Sequence, residues 1–192
     1  MPTEAHEFRN LDHVRELNRL FLCFLQARAH ERLECLGLAE TTVATLRSAP
    51  AAALDPLAEF PGALFRLKLD AVGPHIMDPK PLSTDPAQIA LQAGILSGAW
   101  HLARRSTYSA RLFLAMSEAE VHLLRSMPLL ELSRLAFTVD LITCAYLDAE
   151  WVWIELLTET RREYRRHLLL IGMQPNLADN WHTTQAGLRA SR

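Results

Sequence analysis

The residues with the clearest chemical potential form a basic cluster near the carboxyl end of the chain, made of Arg161, Arg162, Arg165, Arg166 and His167. At helical spacing, position 161 shares a face with 165 and position 162 with 166, so a helix here presents two basic ridges. Guanidinium groups at this density bind phosphates or pair with an acidic protein. The competing interpretation is a solvated helix end, where cations interact favourably with the helix dipole.

The charge of the chain is unevenly distributed along the sequence. Its 20 basic and 22 acidic residues give a net charge of −2, which carries no overall signature for nucleic acid. Residues 161–192, however, hold six arginines against Glu163 and Asp179, a local charge of +4, and the remainder therefore carries −6. A local basic face for an anionic partner is compatible with this distribution.

Catalytic signatures are missing from the sequence. It contains no GxGxxG, P-loop, GxSxG, HExxH or paired CxxC motif. His30 and Glu34 lie one helical turn apart, but no third ligand is near, so a surface pair is favoured over a metal site. We therefore expect no enzymatic activity, no cofactor and no metal; a small-ligand helical enzyme is the least favoured class.

Other polar groups and the cysteines support the same expectation. The carboxylates Asp148, Glu150 and Glu155 flank Trp151 and Trp153, a pattern typical of a solvated helix face with the tryptophans packed inward. Three cysteines without CxxC spacing lie in apolar patterns and are expected to be buried in a reducing cytosol: Cys23, Cys35 and Cys144.

The expected location is the cytoplasm, without membrane association. The first ten residues, MPTEAHEFRN, are polar and lack the apolar core of a signal peptide. The most apolar stretch, 129–157, is interrupted by charged residues and is not expected to span a membrane.

An internal repeat organises the elements that must position these residues. Residues 37–70 and 115–148 align without a gap at an offset of 78, with eleven identities in 34 positions. Two copies are too few for a solenoid, so the repeat predicts a pseudo-symmetric pair of modules. The identical pairs are Glu40/Glu118, Val43/Val121, Leu46/Leu124, Arg47/Arg125, Ser48/Ser126, Pro50/Pro128, Leu54/Leu132, Leu57/Leu135, Ala58/Ala136, Leu69/Leu147 and Asp70/Asp148.

Local signals predict an all-α fold. An amphipathic helix is predicted over Leu11–Leu36, with Asn10 as N-cap and Gly37 in the left-handed position at its end. Each copy of the repeat then predicts two short helices joined by a tight Ser-x-Pro turn, one pair in 40–59 and one in 118–137, in outline a helix-turn-helix.

The copies diverge after the second short helix. In the first, a Pro61-Gly62 break precedes an alternating segment from Phe65 to Leu69, which predicts a short extended stretch. The second lacks the break, and its apolar periodicity predicts continued helix as far as Tyr164. Four prolines predict a linker over about 72–86, and Asp85-Pro86 predicts the start of a helix over Ala87–Arg105.

The order of these features resembles the FlhD family, one of the two subunits of the bacterial flagellar master transcription activator. The resemblance covers about residues 15–97 and is repeated in part over 104–148. In the second copy it is carried best by 117–121 and 129–136. In the first copy it is carried by Cys35-Leu36-Gly37-Leu38, Glu40–Leu46, Leu57-Ala58, Leu64–Asp70 and the run QIALQAGIL over Gln88–Leu96.

The resemblance implies a partner and a role. FlhD-like chains are about half this length and form homodimers, so this chain is similar to two such units fused, a pseudo-dimer that could oligomerise further. The family assembles with a zinc-binding FlhC subunit, and the complex contacts promoter DNA. The implied function is that of a transcriptional activator subunit; the alternative is a helical adaptor or co-regulator that binds only protein.

From this we predict domains at 1–106 and 107–172 and a weakly ordered tail at 173–192. The DNA contacts are expected from the basic cluster, with Arg47 and Arg125 as further candidates beside the turns.

Overall fold

The computed structural model describes residues 3–31, 36–69, 83–137, 141–146 and 150–158. Within these ranges the chain is mostly helical, as predicted, and the short extended segment predicted from Phe65 to Leu69 is confirmed as a strand over Phe65–Leu67. A second short strand, Ile142–Cys144, was not predicted. In chain order the elements are α1 (Thr3–Glu31), α2 (Glu40–Ser48), α3 (Ala51–Ala58), β1 (Phe65–Leu67), α4 (Pro86–Arg105), α5 (Thr107–Phe113), α6 (Glu118–Ser126), α7 (Leu129–Leu135), β2 (Ile142–Cys144) and α8 (Glu150–Thr158).

The long first helix begins earlier than the sequence predicted. The prediction of Asn10 as its N-cap is wrong, because Asn10 lies inside α1 and is 4% exposed. Its amide donates to the Ser109 hydroxyl at 3.0 Å, so a tertiary partner satisfies a side chain that otherwise favours helix ends. Gly37 has a φ of 91°, the left-handed conformation that its position predicted.

The two short-helix pairs are confirmed, and their helices begin at equivalent residues of the two copies. The start of α2 lies 78 residues before that of α6, and the start of α3 lies 78 before that of α7. The N-cap of α2, Ala39, has φ −71° and ψ 157°, and the N-cap of α6, Ser117, has φ −68° and ψ 162°. Helix α6 begins with a capping box, in which the Ser117 hydroxyl accepts from the Glu120 N–H while the Glu120 carboxylate accepts from the Ser117 N–H.

The prediction of continuous helix beyond α7 is wrong, because the chain forms β2 before the helix resumes as α8. β2 pairs antiparallel with β1, with Arg66 opposite Thr143. A backbone bond from the Ala145 N–H to the Leu64 carbonyl (2.9 Å) extends the pairing. β-branched Ile142 and Thr143 suit a strand, and β1 supplies the backbone partners that a helix finds within itself.

Helix α4 begins where the sequence predicted and lies at the centre of the fold. The Asp85 carboxylate accepts from the Ala87 and Gln88 N–H groups, and Arg28 of α1 donates to it. Burial acts to raise the pKa of Asp85, but the hydrogen bonds from Gln88 and Ala87 and the contact with Arg28 outweigh it, so that pKa is lowered. Helix α4 packs against α1, α5, α6 and α7.

Glycines permit α1 and α4 to approach closely. A Cβ added at Gly98 would lie 2.7 Å from Cδ2 of Leu17, and one at Gly94 would lie 2.8 Å from Cδ2 of Leu20. Leu17 is 5% exposed, whereas Leu20 is 41% exposed. The contact between the two long helices therefore depends on small residues at the α4 positions that face α1.

Two further expectations can be compared with the structure. Among the helices that the structure describes, none has both the length and the apolar character needed to cross a membrane. Cys144 is buried as expected, but Cys23 is exposed, so its expected burial is wrong. Its position faces away from the helices that cover the buried side of α1. Cys35, most of the 72–86 linker and the 173–192 tail lie outside the described residues, and the domain boundaries stay predictions.

Candidate nucleic-acid interface

The basic cluster predicted to contact DNA lies outside the described residues. This applies to all its members, namely Arg161, Arg162, Arg165, Arg166 and His167. Its assignment stays a prediction from sequence. The remaining predicted contacts, Arg47 and Arg125, lie on α2 and α6 and can be placed.

Arg47 and Arg125 make equivalent contacts in the two copies of the repeat. Nε of Arg47 donates to the carbonyl of Ala29 at 2.7 Å, and Nη1 of Arg125 donates to the hydroxyl of Thr107 at 2.8 Å. Ala29 and Thr107 are themselves 78 residues apart. Each arginine thus ties a short helix to the helical segment before it, and this structural role accounts for their identity. Arg47 also pairs with Glu40 at 3.7 Å.

The other identical pairs that the structure describes are explained by packing and helix ends. Val43, Leu46, Leu54, Leu57 and Ala58 are buried, as are their counterparts in the second copy. The hydroxyls of Ser48 and Ser126 each donate to the carbonyl three residues earlier, at 3.0 and 2.9 Å. The repeat therefore records the requirements of the fold.

A corner at the end of α4 brings together charges that the sequence analysis did not single out. The indole Nε1 of Trp100 donates to the Met127 carbonyl at 3.1 Å, just after α6. The guanidinium of Arg104 lies over the Trp100 ring, with Cζ 4.6 Å from its centroid. Two residues before Met127, Arg125 bonds to Thr107, which follows the end of α4. These contacts link the end of α4 to the end of α6, and they position Arg104 and Arg125 at one corner of the protein.

The corner is basic and open to solvent. Positions 101, 104 and 105 share one face of α4 at helical spacing, and all three side chains are exposed. An open groove of about 720 Å³ lies between α1 and the last turn of α4. Its lining includes Asn10, His13, Trp100, His101, Arg104 and Arg105.

A sequence signal for this corner existed. No Asp or Glu occurs between Asp85 and Glu118, whereas His101, Arg104, Arg105 and Arg111 all fall in that interval. Arg111 pairs with the carboxylate of Glu118 at 3.5 Å. The exposed faces of α4 and α5 are consequently positive without any long run of basic residues.

The remaining candidates show little that points to catalysis. His30 is exposed and Glu34 lies outside the described residues. In the described ranges, no three His, Cys, Asp or Glu side chains are grouped so as to hold a metal ion. Trp153 is fully buried, as expected, and its indole donates to the Ala145 carbonyl at 2.7 Å. His101 and His122 are exposed.

Comparison of the chain with protein-family models, with curated proteins and with solved structures finds no match.

Proposed function

We propose that this chain is a transcriptional regulator of FlhD type, formed of two fused, pseudo-symmetric modules, which acts with an FlhC-like subunit on promoter DNA. The observation that carries the proposal is that the two copies pack their helices in the same way. Helix α1 packs on α2 and α3, and α4, which occupies the positions 78 residues after those of α1, packs on α6 and α7. Helix α8, which follows β2 of the second copy, packs on α2 and α3 of the first.

The strand pair supports the same interpretation. The Ala145 N–H donates to the Leu64 carbonyl, and the Lys68 N–H donates to the Leu141 carbonyl, each at 2.9 Å. Leu64 and Leu141 are 77 positions apart, as are Lys68 and Ala145, so exchanging the two copies converts each bond into the other. Helix α7 has 7 residues where α3 has 8, and this difference accounts for the change from 78. Reciprocal bonds of this kind are expected at the twofold axis of a homodimer, here within one chain.

The exposed side of α7 supports a protein partner. Leu129, Leu130 and Phe137 are 61%, 64% and 47% exposed. The first copy has Ala51, Ala52 and Glu59 at the equivalent positions. Large apolar groups exposed together on only one copy are typical of a surface that another protein covers. The proposal assigns this surface to the FlhC-like subunit.

Co-expression with an FlhC-like subunit and gel mobility of labelled promoter DNA test the proposal. We expect a complex that retards the DNA. Arg162→Ala with Arg166→Ala should weaken binding and flatten its salt dependence, by about 0.9 in log–log slope for each phosphate that the variant no longer binds. As a control, Arg19→Ala removes an exposed cation of α1 and should leave the slope unchanged.

The possible outcomes separate the function from its alternative. A stable complex that leaves the promoter DNA unretarded would make the chain a protein adaptor. Failure to form any complex would contradict the FlhD-type assignment. An unchanged salt slope in the double variant would remove the basic cluster from the DNA contact while leaving the function in place.

A further inference from the structure

We infer that the corner at the end of α4 is a contact surface for the phosphate backbone of duplex DNA, formed by Arg104, Arg105 and Arg125 with His101 at its edge. The inference rests on the proposed function for the identity of the polyanion. It adds a site distinct from the carboxyl-terminal cluster and assigns that site to the second copy of the repeat alone.

Contacts with neighbouring uncharged side chains hold two of these cations in place. Arg104 is positioned by the face of Trp100 and Arg125 by the hydroxyl of Thr107, both uncharged groups. These contacts restrict the side chains without neutralising them. Guanidinium groups that are positioned in this way lose less conformational entropy when they bind a phosphate.

The backbone carbonyl that follows the first short helix accepts from a different side chain in each copy, and this difference explains why position 104 can be an arginine. In the first copy, the carbonyl of Ala49 accepts from Nε2 of Gln26 at 2.9 Å. In the second, the equivalent carbonyl of Met127 accepts from Trp100 at 3.1 Å. Arg104 occupies the position equivalent to Gln26, but in the second copy the indole of Trp100 bonds to the carbonyl instead. The side chain at 104 is therefore available for a role outside the fold.

The neighbouring positions diverge in the same direction. Arg105 is equivalent to Ala27 in the first copy, and His101 is equivalent to Cys23. Three exposed positions of α4 thus have a basic group where α1 has an uncharged one. If the duplication served only the fold, these positions would not need basic residues. If a pseudo-dimer binds DNA through one side, basic residues are needed at these positions in only one of the two copies.

The shape of the corner suits a phosphodiester backbone. The groove beside Arg104 and Arg105 is open, with a volume of about 720 Å³, and His13 and Asn10 line its far side. Tyr108, near the start of α5, is 69% exposed, and a phenolic hydroxyl commonly bonds to phosphate oxygens. Contacts of this kind recognise the backbone and not the base sequence.

The test uses the full-length chain and a fluorescein-labelled duplex of arbitrary sequence, with binding followed by fluorescence anisotropy between about 50 and 200 mM salt. The double variant Arg104→Gln with Arg105→Ala restores the residues of the first copy. Removal of two phosphate-binding groups should reduce the log–log salt slope by about 1.8, so over this range the wild type loses roughly 12-fold more affinity than the variant. The matched control is Arg19→Gln with Arg134→Ala, which removes two exposed arginines elsewhere.

Each outcome bears on the inference. A reduced slope in the test variant with a wild-type slope in the control supports it, provided that both variants melt within a few degrees of the wild type. A wild-type slope in the test variant, or an equal reduction in the control, overturns it. Displacement of the duplex by poly-glutamate at equal charge concentration would assign the corner to an acidic protein instead and would also overturn it.

The inference and the proposed function fail in different ways. If the complex with the FlhC-like subunit retards promoter DNA but the corner variant behaves as wild type, only the inference is wrong. If neither the chain nor its complex binds DNA at any salt concentration, both are wrong.

Discussion

Asn18 is the buried polar residue whose replacement should cost the most stability. Its side chain is fully buried on α1. The amide Nδ2 donates to the carbonyls of Phe60 and Gly62 at 3.2 and 2.9 Å, and Oδ1 accepts from the Leu64 N–H at 2.9 Å. One side chain therefore fixes the Pro61-Gly62 turn and the approach to β1.

Replacement of Asn18 by Leu removes all three hydrogen bonds. Leu is the residue at the equivalent position of the second copy, Leu96, where it is fully buried, so a leucine is compatible with this kind of site. Each missing bond costs about 1 kcal/mol net, and each backbone group left buried without a partner costs about 1–3 kcal/mol. We expect a loss of about 4 kcal/mol in the free energy of unfolding, or roughly 8–16 °C in melting temperature for a chain of this size.

Urea denaturation followed by circular dichroism measures the loss. The control is Glu16→Leu, which places the same new side chain on α1 at a position where the glutamate side chain is 73% exposed; we expect a change within about 0.5 kcal/mol. Because the Leu64 carbonyl accepts from the Ala145 N–H, faster hydrogen exchange at Ala145 should accompany Asn18→Leu. A variant within about 1 kcal/mol of the wild type would refute the account of Asn18 as the clamp of the turn.

Two further predictions use differences between similar positions. Gly98→Ala should be less stable than Gly94→Ala by about 1–3 kcal/mol in thermal or urea unfolding. Both variants gain helix propensity, but only Gly98 faces a buried side chain, that of Leu17. The reverse order of stability would contradict the packing described for α1 and α4. Leu129→Ala with Leu130→Ala restores the alanines of the first copy, and we expect at least tenfold weaker assembly with the FlhC-like subunit by titration calorimetry, a loss of about 1.4 kcal/mol or more, with an unchanged melting temperature for the free chain. Wild-type affinity would separate the exposed side of α7 from the partner.

Helix ends were predictable because their causes are local. Asp85 and Ser117 bond to N–H groups two or three residues ahead, so the sequence around each contains the whole interaction. The left-handed turn at Gly37 was predictable for the same reason. Asn10 was misinterpreted by the same logic, since its partner, Ser109, is 99 positions away.

The candidate site was predictable only in part. The repeat identified Arg47 and Arg125 as a pair, but it could not show that both bond to the preceding helical segment. The corner at Arg104 depends on Trp100 reaching Met127, a contact between two helices. The deficit of acidic residues between Asp85 and Glu118 was visible in the sequence, but deciding which cations share a surface required the packing.

The sequence by itself determined the helical class, the duplicated order of elements and most helix boundaries, because these follow from apolar periodicity and from capping groups within one turn of their targets. The tertiary structure decided that Ile142–Cys144 is a strand, that α8 of the second copy packs on α2 and α3 of the first, and that Asn18 holds the turn before β1. In each case the deciding partner lies dozens of residues away along the chain. A backbone or amide group accepts whichever partner folding brings to it, and the local sequence does not encode that choice.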